Sequence, residues 1–256
     1  MFSELKMYNL NEKKIRLGSK SDGGYVVLKK YCKNIDFFYS FGVEDNIDFE
    51  ISFEKIFSPK QIQLYDHTIK KYPTFSKKMN FFKKGLSNKP SKKFISLDQL
   101  IFISNNNFLK MDIEYDEWEV FNDVKYDTLL RFQQIVCEFH FFFLDIDDID
   151  QKKILTPYFR EFTRNNYKKI NKMLFHKYET VLKKINNYFY IFHLSANNSL
   201  PKKNIFGKSM PQLLEISFLR KDLVKNVKEF KGSLPIKGLD YPNKNYKPDI
   251  YNFYPI

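Results

Sequence analysis

Leu109-Lys110-Met111-Asp112-Ile113-Glu114-Tyr115-Asp116-Glu117-Trp118-Glu119-Val120 is the stretch whose reading decides how this chain folds. An apolar strand-like run, Phe108 to Ile113, carries Asp112 near its end, and four more carboxylates follow within seven residues. A buried strand that ends in an acid and passes into a helical pattern is half of a βαβ unit. Asp112 and Glu114 can hold a cation, or an amine or hydroxyl of a substrate. Glu117 and Glu119 read as residues on the exposed first turns of the helix, where the helix dipole favours negative charge.

The same rhythm extends upstream. Phe37-Phe38-Tyr39-Ser40-Phe41 is a short apolar run closed by Gly42, and helical spacing follows at Ile47, Ile51, Phe53 and Phe57. Gln61 to Tyr65 is the next strand, ending at Asp66. Downstream, strand-like runs cover Gln134 to Phe139, Phe189 to Leu194 and Leu213 to Leu219. Strands alternating with helical patterns predict parallel βαβ units, hence an α/β, doubly wound, mostly parallel sheet. Gly42, Asp66, Asp112, Glu138 and Ser195 stand at or just past strand ends, where open α/β sheets bind ligands.

Three segments depart from the rhythm. Residues 1–30 lead into the sheet through the turn Ser21-Asp22-Gly23-Gly24 and the strand Tyr25-Val26-Val27-Leu28. Residues 151–188 carry helical spacing and read as a helical insertion between strands five and six, Pro157 fitting a first turn. This insertion is expected to cover the acceptor side of the cleft or to form a homo-oligomer interface. Residues 233–256 hold four prolines and read as an extended arm packed on the domain by its tyrosines. The 256 residues fit a single domain with these appendages.

Composition narrows the function classes. With 43 basic and 30 acidic residues the net charge is +13. The lysines are scattered and no clustered basic and aromatic stripe stands out, so no nucleic-acid partner is expected; a phosphorylated or nucleotide-linked small molecule suits the charge. Cys32 and Cys137 lie in apolar runs and read as reduced core residues, without a disulfide or zinc framework. Met1 to Leu10 has no apolar signal core. No apolar run approaches the ~20 residues that span a bilayer, so no membrane insertion is expected and the protein reads as cytoplasmic.

Asp66 stands 24 residues past Gly42. A glycine turn lets a ligand meet the backbone and a helix start, and an acid at this spacing can accept ribose hydroxyls; a plain turn and a helix N-cap are the bland alternatives. Glu138 and His140 alternate along one strand and so share a face. His67, His140 and His193, three of the four histidines, fall at predicted strand ends. A histidine there is a suitable general base for a hydroxyl.

Asp22-Gly23-Gly24-Tyr25, Tyr39-Ser40-Phe41-Gly42, Tyr65-Asp66, Ser96-Leu97-Asp98-Gln99-Leu100, Leu109-Lys110-Met111-Asp112-Ile113-Glu114, Glu138-Phe139-His140 and His193-Leu194-Ser195-Ala196-Asn197-Asn198, in that order, resemble the FkbM-like methyltransferases, in the branch that opens with Asp-Gly-Gly-Tyr. The resemblance spans roughly residues 14–222. It departs at Tyr115, where the family has glycine after Asp-Ile-Glu, and in a first glycine loop poorer than Gly-x-Gly.

The resemblance implies a class I methyltransferase fold and S-adenosylmethionine as cofactor. Gly42 and Glu44 would flank its methionine part, Asp66 its ribose, and Leu86 and Ser87 its adenine; Asp112 would lie beside the transferred methyl. Tyr39, Phe41 and His67 complete the expected cofactor set. His140, His193 and Asp112 are the expected catalytic residues, with Tyr25, Glu114, Tyr115, Asn197 and Asn198 toward the substrate. Some enzymes of this fold add a divalent cation such as Mg2+ or Mn2+, for which Asp112, Glu138 and His140 are the candidate ligands. The expected reaction is O-methylation of a small molecule, sugar-containing and destined for a surface glycan such as a capsule. Methylation of a nucleic acid or protein, and a non-catalytic Rossmann-like binding module, stand as alternatives.

Overall fold

Four aromatic residues around a single serine cannot lie on a half-solvated surface, and Phe37–Phe41 (β1) is a central strand of a seven-stranded sheet. The computed structural model describes residues 2–70, 76–143, 167–251, 253 and 254. After β1 come the helix Asp48–Phe57 (α1), the strands Gln61–Tyr65 (β2), Met79–Phe82 (β3) and Asn107–Met111 (β4), and the helix Glu117–Asp123 (α2). The strand Phe132–His140 (β5), the helix Tyr167–Asn186 (α3), and the strands Phe189–Ala196 (β6) and Leu213–Arg220 (β7) complete the frame.

The sheet order is β6-β7-β5-β4-β1-β2-β3. Strands β3, β2, β1, β4 and β5 run parallel. β7 is antiparallel to both neighbours and sits between β5 and β6. This is the doubly wound, mostly parallel α/β arrangement that the alternating pattern predicted. Two details differ from the sequence reading. The edge strand β3 was not foreseen, and the last strand does not extend the sheet but wedges into it.

Both faces are covered, which is why the central strands read as continuous apolar runs. On one face Phe49 and Phe53 of α1 pack edge-on and tilted against Phe38 and Phe108, at ring distances of 4.7–6.0 Å. Each such burial is worth roughly 1.5–3 kcal/mol. On the other face Trp118 and Phe121 of α2 meet Phe139. Tyr178, Val181, Leu182 and Ile185 of α3, spaced three and four residues apart, are buried in the same core.

The helix expected between strands five and six is present. Residues 167–186 form an ordinary crossover helix on the sheet, and none of them lines the large cleft. Residues 151–166, with Pro157, lie outside the described residues. The N-terminal hairpin, Lys14–Leu17 with Tyr25–Leu28, lies over β5 and β7. Gln134 binds the Leu28 backbone, and the Ser217 hydroxyl donates to the Val26 carbonyl.

The C-terminal arm lies on the domain, with Tyr254 buried and Arg16 over the Tyr241 ring. Tyr246 and Tyr251 are exposed, although the Tyr254 hydroxyl accepts from the Met7 amide. Leu234, Ile250 and Phe253 are buried in the main core, and polar anchors join them through Asp240, Asn243 and the carbonyls of Lys244, Lys247 and Pro248. Both cysteines are free and buried. Among the described residues no helix is long and apolar enough to cross a membrane.

Candidate active site

The strand order reverses between β1 and β4, and a cleft of about 590 Å³ opens over their carboxyl ends. This is the switch point at which open α/β sheets bind ligands. Gly42 ends β1 with φ of +71°, and a Cβ there would fall 1.5 Å from the Asp112 carbonyl oxygen. Only glycine lets the two strand ends come this close. The next turn brings the Glu44 amide to Asp66 Oδ2 at 3.0 Å. Asp66 Oδ1 accepts from the Thr68 amide and hydroxyl, at 2.7 and 2.6 Å. Burial alone would raise this carboxyl, but those donors outweigh it and hold it below the usual range. Asp66 is thus ionised, and it also ties the β1 and β2 loops together.

One wall of the cleft carries two rings. His67 and Phe94 lie 4.8 Å apart, and Gly85 and Leu86 adjoin them. A Cβ on Gly85 would sit 2.6–2.7 Å from those two rings. Three expected cofactor residues lie elsewhere. Alternation along β1 turns Tyr39 and Phe41 into the core shared with Trp118. There the Tyr39 hydroxyl donates to the Ile101 carbonyl and Phe41 stacks on Tyr65. Ser87 lines a separate small hollow with Asn88 and Asp123.

The other half is built by the ends of β4, β5 and β6. Asp112 Oδ2 lies 3.3 Å from the Tyr25 hydroxyl. Glu114 and Tyr115 take φ of +55° and +79°. Tyr115 therefore keeps the backbone that a glycine would adopt freely, at a cost on the order of 1–2 kcal/mol. Its ring packs 5.0 Å from His140. His140 is braced on both nitrogens, with Nδ1 3.0 Å from Glu117 and Nε2 3.3 Å from Glu114. Burial opposes its charge, but the hydrogen bond and charge of Glu117, with Asp112 and Glu114, push its pKa up to about 9. It is an imidazolium at neutral pH.

Glu117 is 0% exposed and also accepts from the Ile113 amide. This corrects its reading as a solvated helix residue. The signal was present: Glu117, Val120, Phe121 and Val124 form one helical stripe, and the last three are apolar. Glu119 does lie at the surface, paired with Lys177.

Glu138 Oε1 accepts from Asn197 Nδ2 at 2.6 Å. Burial first, then the charges of Asp112 and Glu215, raise the Glu138 carboxyl well above the usual range. The proposed cation ligands are therefore not the trio brought together. Ligand atoms of Asp112, Glu114 and His140 lie within 4.8 Å of one another, and Glu138 is outside that group. The geometry suits one cation, and equally the imidazolium already braced there.

His193 and Asn198 are the remaining corrections. His193 is 1% exposed, stands mid-strand in β6 and is separated from β5 by β7. Its Nε2 lies 2.6 Å from Asp240 of the arm, and it does not line the cleft. Asn198 binds the arm backbone through both ends of its amide, whereas Asn197 faces the cleft. Lining residues absent from the sequence reading include Phe94 and Ser199, while Asp22 and Lys110 stood in the quoted motifs without a role.

No protein-family model matches the chain, and no curated protein matches it. Two solved structures resemble it in part. A Clostridium thermocellum chain described as an rRNA-methylase is 7% identical, covers 75% of this chain and 90% of that chain, and gives a TM-score of 0.35. Precorrin-6y C5,15-methyltransferase from Geobacter metallireducens GS-15 is 10% identical, covers 75% of this chain and 86% of that chain, and gives a TM-score of 0.34. The fold assignment stands on the strand order itself.

Proposed function

We propose that this chain is an S-adenosylmethionine-dependent methyltransferase of the FkbM-like kind, acting on a hydroxyl of a small, sugar-containing molecule. One observation carries the reading. An ionised Asp66 at the end of β2 and Asp112 at the end of β4 flank a glycine turn over the strand-order reversal. The residues present fit the cofactor. The cleft volume lies in the range of small-molecule sites, the His67–Phe94 wall suits a nucleobase, and Asp66 suits a ribose.

When bound, S-adenosylmethionine supplies a methyl group already activated on a sulfonium. The chain's share is then orientation, exclusion of water and proton removal. Asp112, held from beneath by the Tyr25 hydroxyl, would face the reacting atoms. His140, cationic at neutral pH, orients a hydroxyl or stabilises negative charge; the neutral imidazole that a base requires becomes populated as pH approaches 9.

Calorimetric titration with S-adenosylmethionine and S-adenosylhomocysteine tests the reading directly. Micromolar binding of both supports it, and no binding of either rejects it. Binding without transfer to any acceptor would favour the non-catalytic module. Transfer to RNA, with a steep salt dependence, would favour a nucleic-acid substrate.

A further inference from the structure

The C-terminal arm touches the walls of the cleft without entering it. None of residues 237–249 lines the cleft, yet that stretch is bonded to two loops that do. The first is the turn of the N-terminal hairpin, whose Asp22 and Gly23 face the cleft. Arg16 holds this turn by donating to the Ser19 and Ser21 carbonyls, at 2.8 and 3.0 Å, and holds the arm by donating to the Leu239 carbonyl at 3.3 Å. Asn243 and Lys244 of the arm each reach a carboxylate oxygen of Asp22 at 3.4 Å. The Tyr241 ring lies against Arg16 and Lys20, 5.6 Å from each charge.

The second loop follows β6, where Asn197, Ser199 and Leu200 face the cleft. Asn198 turns the other way. Its Oδ1 accepts from the Lys244 amide at 2.8 Å, and its Nδ2 donates to the Lys244 and Lys247 carbonyls at 3.0 and 3.2 Å. Lys247 Nζ returns a bond to the Ser199 carbonyl at 2.6 Å. Neighbouring residues thus serve opposite sides: Asn197 fixes Glu138 in the cleft, and Asn198 fixes the arm. The other half of the cleft is tied within itself. The Glu44 and Thr68 amides meet Asp66, and the Gly42 amide meets the Tyr65 carbonyl. Among the described residues the arm gives Gly42, Glu44 and Asp66 no hydrogen bond.

Resting on the methyltransferase reading above, which gives one half of the cleft to the acceptor and the other to the cofactor, we propose that residues 239–248 are a strap that preorganises the acceptor half alone. Arg16 and Asn198 are its positioning residues. Two surface loops left free would have to be ordered by each incoming ligand, and the strap's bonds meet that entropy cost beforehand. The strap can also let go. Its flanks are pinned by Leu234 and Ile250, both buried in the main core. Between them the bonds are polar and residues 245–248 are exposed, so the middle can loosen while the flanks hold. Acceptor binding is then governed by a segment that does not line the acceptor site.

The test is hydrogen exchange read by mass spectrometry on the full chain without ligand, followed by calorimetry with S-adenosylmethionine. Asn198→Ala cuts the strap from the β6 loop. Exchange should quicken by about tenfold or more in residues 196–200, 239–248 and 18–25, and by less than about twofold in 42–46 and 65–68. Asn198 bonds to the arm and not to residues 18–25, so a change there has to pass through the strap, which a merely local role would not produce. Tyr254→Phe, which frees the arm only at Met7, should leave 18–25 and 196–200 as in the parent. S-adenosylmethionine affinity should stay within about twofold in both variants. If Asn198→Ala does not fold by thermal melting, Lys247→Met takes its place, with the same distribution of changes at smaller size. Unchanged exchange in 18–25, acceleration spread evenly over the chain, or a loss of cofactor affinity equal to the loosening would each overturn the proposal. Failure of the parent to bind S-adenosylmethionine would instead reject the methyltransferase reading, and the exchange pattern would still decide whether the strap exists.

Discussion

Two regions that share the ends of β1 and β2 have opposite chemistry. Eight carboxylates line the cleft: Asp22, Glu44, Asp45, Asp66, Asp112, Glu114, Asp116 and Glu138. Immediately beyond, residues 67–97 contain nine lysines and no acid. Lys83, Lys84, Lys89, Lys92 and Lys93 of that flank are exposed. The flank holds its charges in water, where each costs little and does little. The cleft holds its acids in a partly enclosed space, fixed by hydrogen bonds. Net charge counts both equally, so it does not describe the cleft.

The contrast implies large effects in the cleft and small ones on the flank. Gly42→Ala should be the most severe, because its Cβ would fall onto the Asp112 carbonyl in a left-handed conformation. Loss of roughly 4 kcal/mol or more, or failure to fold, is expected; a melting temperature near that of the parent would refute the close approach.

Glu117→Gln comes next. It leaves His140 without its fully buried anionic partner, at about 3–5 kcal/mol, and should lower the His140 pKa from about 9. Chemical denaturation and an NMR titration of the imidazole read the two effects separately.

Glu215 gives a smaller, pH-dependent effect. Burial, against the pull of Arg16 and Asn243, pushes its carboxyl from 4.5 to about 7. Between those values the folded chain keeps a proton that the unfolded chain releases. Its contribution to stability is therefore full below pH 4.5 and falls as pH rises through 7, by about 3 kcal/mol. Glu215→Gln should flatten that limb of the stability–pH curve; an unchanged slope would contradict the assignment.

Replacing Lys83, Lys84, Lys92 and Lys93 together by Glu takes the net charge from +13 to +5. Stability should change by no more than ~0.5 kcal/mol per site, and S-adenosylmethionine affinity by less than about twofold. A large loss of acceptor turnover in this variant would make the flank part of the site and erase the contrast.

Much of this frame was legible because central strands announce themselves. Phe37–Phe41 and Gln61–Tyr65 were read with the bounds they adopt. Met79–Phe82 was missed because a four-residue edge strand among lysines has no continuous apolar run. The direction and place of Leu213–Arg220 were not readable, since periodicity reports burial and not neighbours. In the cleft, Gly42, Asp66, Asp112, Glu138 and His140 were found from their position at strand ends. His193 has the same kind of position, but β7 intervenes and the arm supplies Asp240. Pairing of that kind, across about 50 residues of chain, leaves no trace in local sequence.

The place of β7 also governs how the molecule must be made. Its neighbours in the sheet, β5 and β6, both precede it in the chain. As the polypeptide emerges from the ribosome, the β5 edge that will pair with residues 213–220 has no partner until those residues appear, about 80 positions later. At ordinary synthesis speeds that interval is roughly 4–16 s. For that time a nine-residue edge, almost wholly buried in the finished fold, stands open, the kind of surface that recruits other chains. If β6 docks there first, it must be displaced before the sheet can close. The nascent chain thus carries a built-in risk of misassembly that the finished protein no longer shows, and slow refolding with concentration-dependent loss is the behaviour expected of it in a test tube.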